Sequence, residues 1–286
     1  MSKVSGMPLY LWWWILGLSC LVLIVYSLVI DDWIDNKNKL WQEQIYLNTF
    51  KNLEENKKAL VILAGTSLMR NGAWLASDAL GSDVYSFLLA VSGADFRKIK
   101  PYLDIALIKK TTLLVLQTDL LLVHTPKPKI WQEKARMARE KIKRFIKYLI
   151  GNYENKYIMN QNCGHIYNGP PKSDKVKLLK ERYRNSIPIN VDVIEWIKNI
   201  QNQGIRIVLV DIPRAHQMER ALASDLERWR KLVHSLTKKL NLPLIVYPDK
   251  LTSEKYCDNS HLNEAGRAKY STWFRERILK LIHEST

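Results

Sequence analysis

Cysteine is scarce in this chain: 286 residues carry three, Cys20, Cys163 and Cys257. That excludes a disulfide-dense scaffold. Cys20 falls inside an apolar run, and Cys163 and Cys257 can pair in an oxidising compartment, although one such pair does not establish that compartment. No cysteine–histidine cluster has the spacing of a zinc site, so neither a metal nor another cofactor is expected. No repeat marks a solenoid. The strand–turn pattern Gly-x-Ser-x-Gly is also missing, because position 69, two after Ser67, is Met. Acidic residues are few beside the basic ones, 28 against 44, and the formal net charge is +16. Such an excess favours an anionic contact: a membrane surface, an acidic glycan or nucleic acid. No recognition motif accompanies the charge, so nucleic acid is not the expected partner.

Charge is absent altogether from Leu9 to Ile30, "LYLWWWILGLSCLVLIVYSLVI". The run is long enough to cross a bilayer. Trp12, Trp13 and Trp14 near one end and Trp33 beyond the other suit an interfacial belt. A cleaved signal peptide has a shorter apolar core and a small-residue cleavage site, and no such site follows here. The expected organisation is therefore a short cytoplasmic N-terminus (1–8), a single transmembrane anchor (9–30), a polar helical neck (31–57) and a main domain (58–286). The domain is expected outside the bacterial cytoplasmic membrane, on the periplasmic or extracytoplasmic side. Lys3 before the span gives this orientation, because the acidic residues after it weigh little.

Within the main domain, apolar runs alternate with helical patterns. Strands are expected at 59–64, 83–90, 111–117, 204–211 and 242–247. Helices are expected from about Ser67, after Gly93, at 190–203, at 217–240 and at 263–283. Continuous apolar strands separated by helices predict an α/β fold with a five-stranded parallel sheet covered on both faces. In such a sheet the ligand crevice lies beyond the carboxyl ends of the strands. Two stretches stand apart. A basic helix at 133–150 carries an apolar stripe of Ile142, Phe145, Ile146 and Leu149, and beside a tether it suits anionic lipid headgroups. The Asn-, Gly- and Pro-rich segment 151–175 has no period and reads as a long loop.

Two loops carry candidate chemistry. "LAGTSL" follows the first strand and places Ser67 where a helix begins. Serine there is commonly only a cap. "CDNSHLNEAG" precedes the last helix, and Asp258 and His261 lie three apart, so one turn can set the carboxylate against the imidazole. If both loops sit at the carboxyl ends of their strands, the three side chains meet. Arg214 in "DIPRAHQ" follows the fourth strand and is a candidate for binding an anionic substrate group.

These blocks resemble the SGNH, or GDSL, hydrolase superfamily. Gly65-Thr66-Ser67-Leu68 is similar to its first block, with Thr where Asp is usual. Asp258-x-x-His261 with Leu262, Asn263 and Gly266 is similar to its last block. The resemblance spans about residues 58–283 and implies a flavodoxin-like three-layer domain. It also implies a catalytic Ser67–His261–Asp258 set, with Ser67 and Gly93 in the oxyanion hole. Where the family often has Gly-x-Asn-Asp this chain has Gln117-Thr118-Asp119, so Gln117 or Thr118 stands in for the missing donor. The same departure and the anchor resemble the membrane-bound accessory O-acyltransferases of polysaccharide modification. The function so implied is transfer of acetyl or a similar small acyl group to a cell-surface polysaccharide, with a multispanning membrane acyltransferase as donor-side partner. The alternatives are an anchored carbohydrate esterase and a non-catalytic scaffold that binds glycan or a partner protein.

Overall fold

The computed structural model describes residues 8, 10–21, 59–72, 80, 84–91, 95–107, 111–122 and 169–284. The chain divides into two compact units, one of Met1–Thr49 with Lys127–Tyr157 and one of Phe50–Pro126 with Ile158–Thr286. In the first unit residues 10–21 form helix α1, on which Trp12, Trp13 and Trp14 are exposed. The rest of the expected anchor, the neck and the basic helix 133–150 lie outside the described residues. Among the described residues no helix is long and apolar enough to cross a membrane.

The second unit holds the sheet. Its strands are β1 (Ala59–Gly65), β2 (Val84–Ala90), β3 (Thr111–Gln117), β4 (Arg206–Asp211) and β5 (Leu244–Val246). They pair in the order β2-β1-β3-β4-β5, and every pairing is parallel. The physical cause lies in "ALVILAG", "TTLLVLQ" and "RIVLVD". Side chains of both parities are apolar, so neither face tolerates water. Val61, Leu63, Leu113, Val115, Val208 and Val210 join one buried cluster with Tyr270, Phe274 and Ile278. Their neighbours of opposite parity, Ile62, Leu114, Leu116, Ile207 and Leu209, are buried as well.

The helices are α2 (Ser67–Gly72), α3 (Phe96–Leu107), α4 (Ser173–Asn185), α5 (Val191–Asn202), α6 (His216–Ala221), α7 (Ala223–Leu240) and α8 (Glu264–His283). The clustered face of the sheet is covered by α2 and α8. Two departures from the expected elements have local causes. The helix expected at 217–240 is broken at Leu222, whose φ of −103° and ψ of 1° end α6 before α7 begins. The end of the expected loop 151–175 and the residues after it form α4, held by buried Leu179 and Tyr183 one turn apart.

This strand order has one reversal point. From β1 the chain moves outward to β2, then returns across to β3 and proceeds the other way. Such a crossing opens a crevice at the carboxyl ends of the two central strands. The residues just after β1 lie there.

Candidate active site

Ser67 is the first residue of α2 and is partly exposed. A serine at a helix start is usually spent on capping. Here the cap is Thr66: its hydroxyl accepts from the Leu68 N–H at 3.3 Å. The Ser67 hydroxyl is thereby left for another partner, and it lies 2.9 Å from His261 Nε2. On the other side of the ring, His261 Nδ1 is 2.9 Å from Asp258 Oδ2. The structure thus brings Ser67, His261 and Asp258 into one hydrogen-bonded line, although 194 positions separate serine from histidine.

The loop that carries the pair is shaped by its own backbone. Asp258 Oδ1 accepts from the N–H groups of Ser260 and His261, at 2.6 and 2.8 Å. The Cys257 N–H donates to the His261 carbonyl at 2.8 Å and closes the turn. Downstream, Asn263 caps α8 by accepting from the Gly266 N–H at 3.0 Å. Gly266 is required by close approach, since a Cβ there would lie 2.1 Å from the Lys255 carbonyl oxygen. The "HLNEAG" pattern is therefore a turn, a cap and a contact point that hold the imidazole in place. Cys257 takes part in a disulfide, and Cys163 lies outside the described residues.

Burial opposes ionisation of Asp258, but the His261 ring and the two backbone N–H groups outweigh it and hold the carboxyl well below the usual carboxylate range. Lys175 Nζ of α4 also reaches this carboxylate, 3.4 Å from Asp258 Oδ2. Lys175 was not singled out in the sequence. The signal was present in the Leu179/Tyr183 spacing that makes the helix, but not in any pattern that joins it to Asp258.

Of the remaining candidate residues, Gln117, Thr118 and Arg214 are buried. Gln117 is 1% exposed, and its carboxamide is committed to Thr66, Met69 and Asp119. It points into the protein because the oxygen is claimed by backbone N–H groups of the Ser67 turn. Thr118 is 2% exposed and begins a short 3₁₀ turn. Arg214 is also buried, in an ion pair with Asp119. Desolvation would weaken its hold on the proton, but the Asp119 carboxylate reverses this and raises the guanidinium's pKa. Gly93 lies outside the described residues. Among the described residues no group of three or more His, Cys, Asp or Glu side chains is placed to hold a metal ion.

No known family's sequence profile matches the chain, and no curated protein matches it. Among solved structures the chain is similar to a Streptococcus pneumonia protein assigned provisionally as platelet activating factor. The TM-score is 0.44 at 14% identity, covering 84% of this chain and 95% of that one. It is also similar to an aryl esterase from M. Smegmatis in its inhibitor-bound form (TM-score 0.38, 10% identity, 78% and 99% covered). A carbohydrate acetylesterase from Sinorhizobium meliloti gives a TM-score of 0.38 at 9% identity, with 78% and 100% covered.

Proposed function

We propose that this protein is a serine acyl-transfer enzyme of the SGNH type. The observation that carries the reading is the unbroken line from Ser67 Oγ through His261 to Asp258, with the capping role taken by Thr66. In this mechanism His261 Nε2 takes the Ser67 proton as Oγ attacks an ester or thioester carbonyl. Asp258 holds the ring through Nδ1 and stabilises the imidazolium. The Ser67 N–H, which has no carbonyl of its own helix to meet, and the Gly93 N–H bind the oxyanion. The carbonyl–heteroatom bond breaks, and the leaving alcohol or thiol takes the proton from His261. An acceptor hydroxyl then loses its proton to His261, attacks the acyl-enzyme and releases Ser67 as the product ester leaves.

The preferred acceptor is a cell-surface polysaccharide and the preferred group acetyl or a similar small acyl. The protein acts on one membrane anchor, at residues 9–30, with its main domain outside the cytoplasmic membrane. A multispanning acyltransferase supplies the acyl group. One observation favours hydrolysis as a second reading: the His261 and Asp258 side chains are 26% and 41% exposed, which leaves water a path to the acyl-enzyme.

Labelling with a fluorophosphonate tests the common first step. Wild type is expected to be modified at Ser67, and Ser67→Ala to remain unlabelled. A folded wild type that takes no label overturns the enzymatic reading and leaves a binding scaffold. Acetate release from an aryl acetate, measured with and without an oligosaccharide acceptor, then separates transfer from hydrolysis. Transfer gives acetylated oligosaccharide in place of free acetate.

A further inference from the structure

Gln117 ends β3 beside the Ser67 turn, and its orientation is determined from both sides. Its Oε1 receives the Thr66 N–H at 2.8 Å, the Thr66 hydroxyl at 3.1 Å and the Met69 N–H at 3.3 Å. Two of these are backbone donors and cannot reverse roles. Its Nε2 donates to Asp119 Oδ2 at 3.0 Å, and a carboxylate only accepts. Turning the amide over would set nitrogen against nitrogen on one side and oxygen against oxygen on the other. Asp119 is itself anchored by the buried ion pair with Arg214, whose guanidinium carbon lies 5.9 Å from the centre of the Tyr183 ring. Gly65 leaves the room: a Cβ there would stand 2.7 Å from Gln117 Oε1.

The consequence reaches the nucleophile. Thr66 is held at both its N–H and its hydroxyl by Gln117, and the same hydroxyl accepts from Leu68. Met69 is held at its N–H. The residues on either side of Ser67 are therefore pinned to the end of β3. We infer that Gln117, oriented by the buried Asp119–Arg214 pair, is a positioning residue that fixes the Ser67 turn, and so aims Oγ at His261 and presents the Ser67 N–H to the oxyanion. This rests on the acyl-transfer reading of Ser67. It assigns position 117 a structural acceptor role in place of a donor to substrate.

The test uses the full chain and two readouts. The first is the rate constant for Ser67 modification by a fluorophosphonate, separated from the inhibitor's dissociation constant by varying its concentration. Gln117→Met is expected to slow modification about 10- to 100-fold with little change in the dissociation constant, as loss of alignment affects the reacting geometry more than binding. The second is amide hydrogen exchange at Thr66 and Met69, which should lose protection in Gln117→Met even if Ser67 proves unreactive. That separates failure of this inference from failure of the catalytic reading. A charge-conserving exchange guards against simple misfolding. Gln117→Glu sets two carboxylates face to face, and Asp119→Asn weakens the hold on Arg214. Each alone should be slow, and the double variant restores acceptor, donor and net charge and should recover most of the rate. A folded Gln117→Met with wild-type rate and wild-type exchange overturns the inference. So does a double variant of wild-type Tm that is no faster than the slower single variant.

Discussion

Replacing Gly65 by alanine tests how closely the end of β1 is packed against the Ser67 turn. A Cβ at this position would lie 2.2 Å from Met69 Cβ, 2.8 Å from Met69 Cγ and 2.7 Å from Gln117 Oε1. The first distance is more than an ångström short of the ~3.5 Å at which two carbons rest. Met69 Cβ sits at the root of its side chain, so no rotamer change relieves the clash, and α2 must move relative to β1. Overpacking of a buried site typically costs about 1–3 kcal/mol. For a domain of this size each kcal/mol lowers Tm by roughly 2–4 °C, so Gly65→Ala should melt roughly 2–12 °C below wild type. A shift of about 1 Å at the reacting group costs on the order of 100-fold, and fluorophosphonate labelling of Ser67 should slow accordingly. Gly204→Ala is the control. Gly204 has φ of +81° and no atom within 4 Å of an added Cβ, so its substitution strains the backbone without touching the turn. It should cost about 1–2 kcal/mol and leave the labelling rate unchanged. A folded Gly65→Ala with wild-type Tm and labelling within threefold of wild type would refute the reasoning.

Asp258→Asn keeps an acceptor for the Ser260 and His261 N–H groups but presents an amide N–H to His261 Nδ1. The ring must then carry its proton on Nε2 and cannot accept from Ser67, so acylation should fall about 10⁴-fold with the fold intact; a fall under tenfold removes Asp258 from the line. The same carboxylate contributes to acid stability. Its folded pKa is depressed, so that contribution is complete above the ordinary carboxylate pKa of about 3.9 and is lost as pH falls through the lower folded value. Acid-unfolding curves of wild type and Asp258→Asn should converge below that range and separate above it. Lys175→Met removes a cation that shares Asp258 Oδ2 with His261. Both groups are part exposed, so losing the pair should cost at most about 1 kcal/mol, a Tm drop of no more than roughly 2–4 °C. A larger drop would refute this reading of the pair as a weak surface contact. Asn263→Ala deletes the α8 cap and should cost about 1 kcal/mol, with a Tm drop of roughly 2–4 °C; an unchanged Tm would deny the cap a role.

The sheet was legible because both parities of its strands are apolar, a pattern that only burial on two sides accommodates. "ALVILAG" and "TTLLVLQ" show this directly, and β1 and β3 occupy those residues with at most one residue's difference. The edge strand β5 was overextended at its start: the Leu242 N–H is spent on the Thr237 carbonyl of α7, and Pro243, whose carbonyl accepts from the Leu209 N–H of β4, has no N–H to donate. Helix α4 was missed because its first turn follows a run of Asn, Gly and Pro, and its apolar contacts are two residues in a charged background. The burial of Arg214 was not legible for a related reason. Sequence places it after a strand, where a loop faces the crevice, but cannot show that Asp119, 95 positions earlier, waits beneath it.

Short-range order therefore came from the chain itself. The alternation of apolar strands and helices, the Asp258-x-x-His261 turn and the Asn263 cap all depend on contacts within a few residues, and such contacts are written in local spacing. Tertiary structure alone decided what each polar side chain does. Ser67 and Thr66 are adjacent hydroxyls at one helix start, and only the arrival of His261 from a distant loop and Gln117 from a neighbouring strand makes one a partner of the imidazole and the other the cap. The reason is that a buried polar atom must be satisfied by whatever the fold brings within reach, and that neighbour is set by the packing of the sheet.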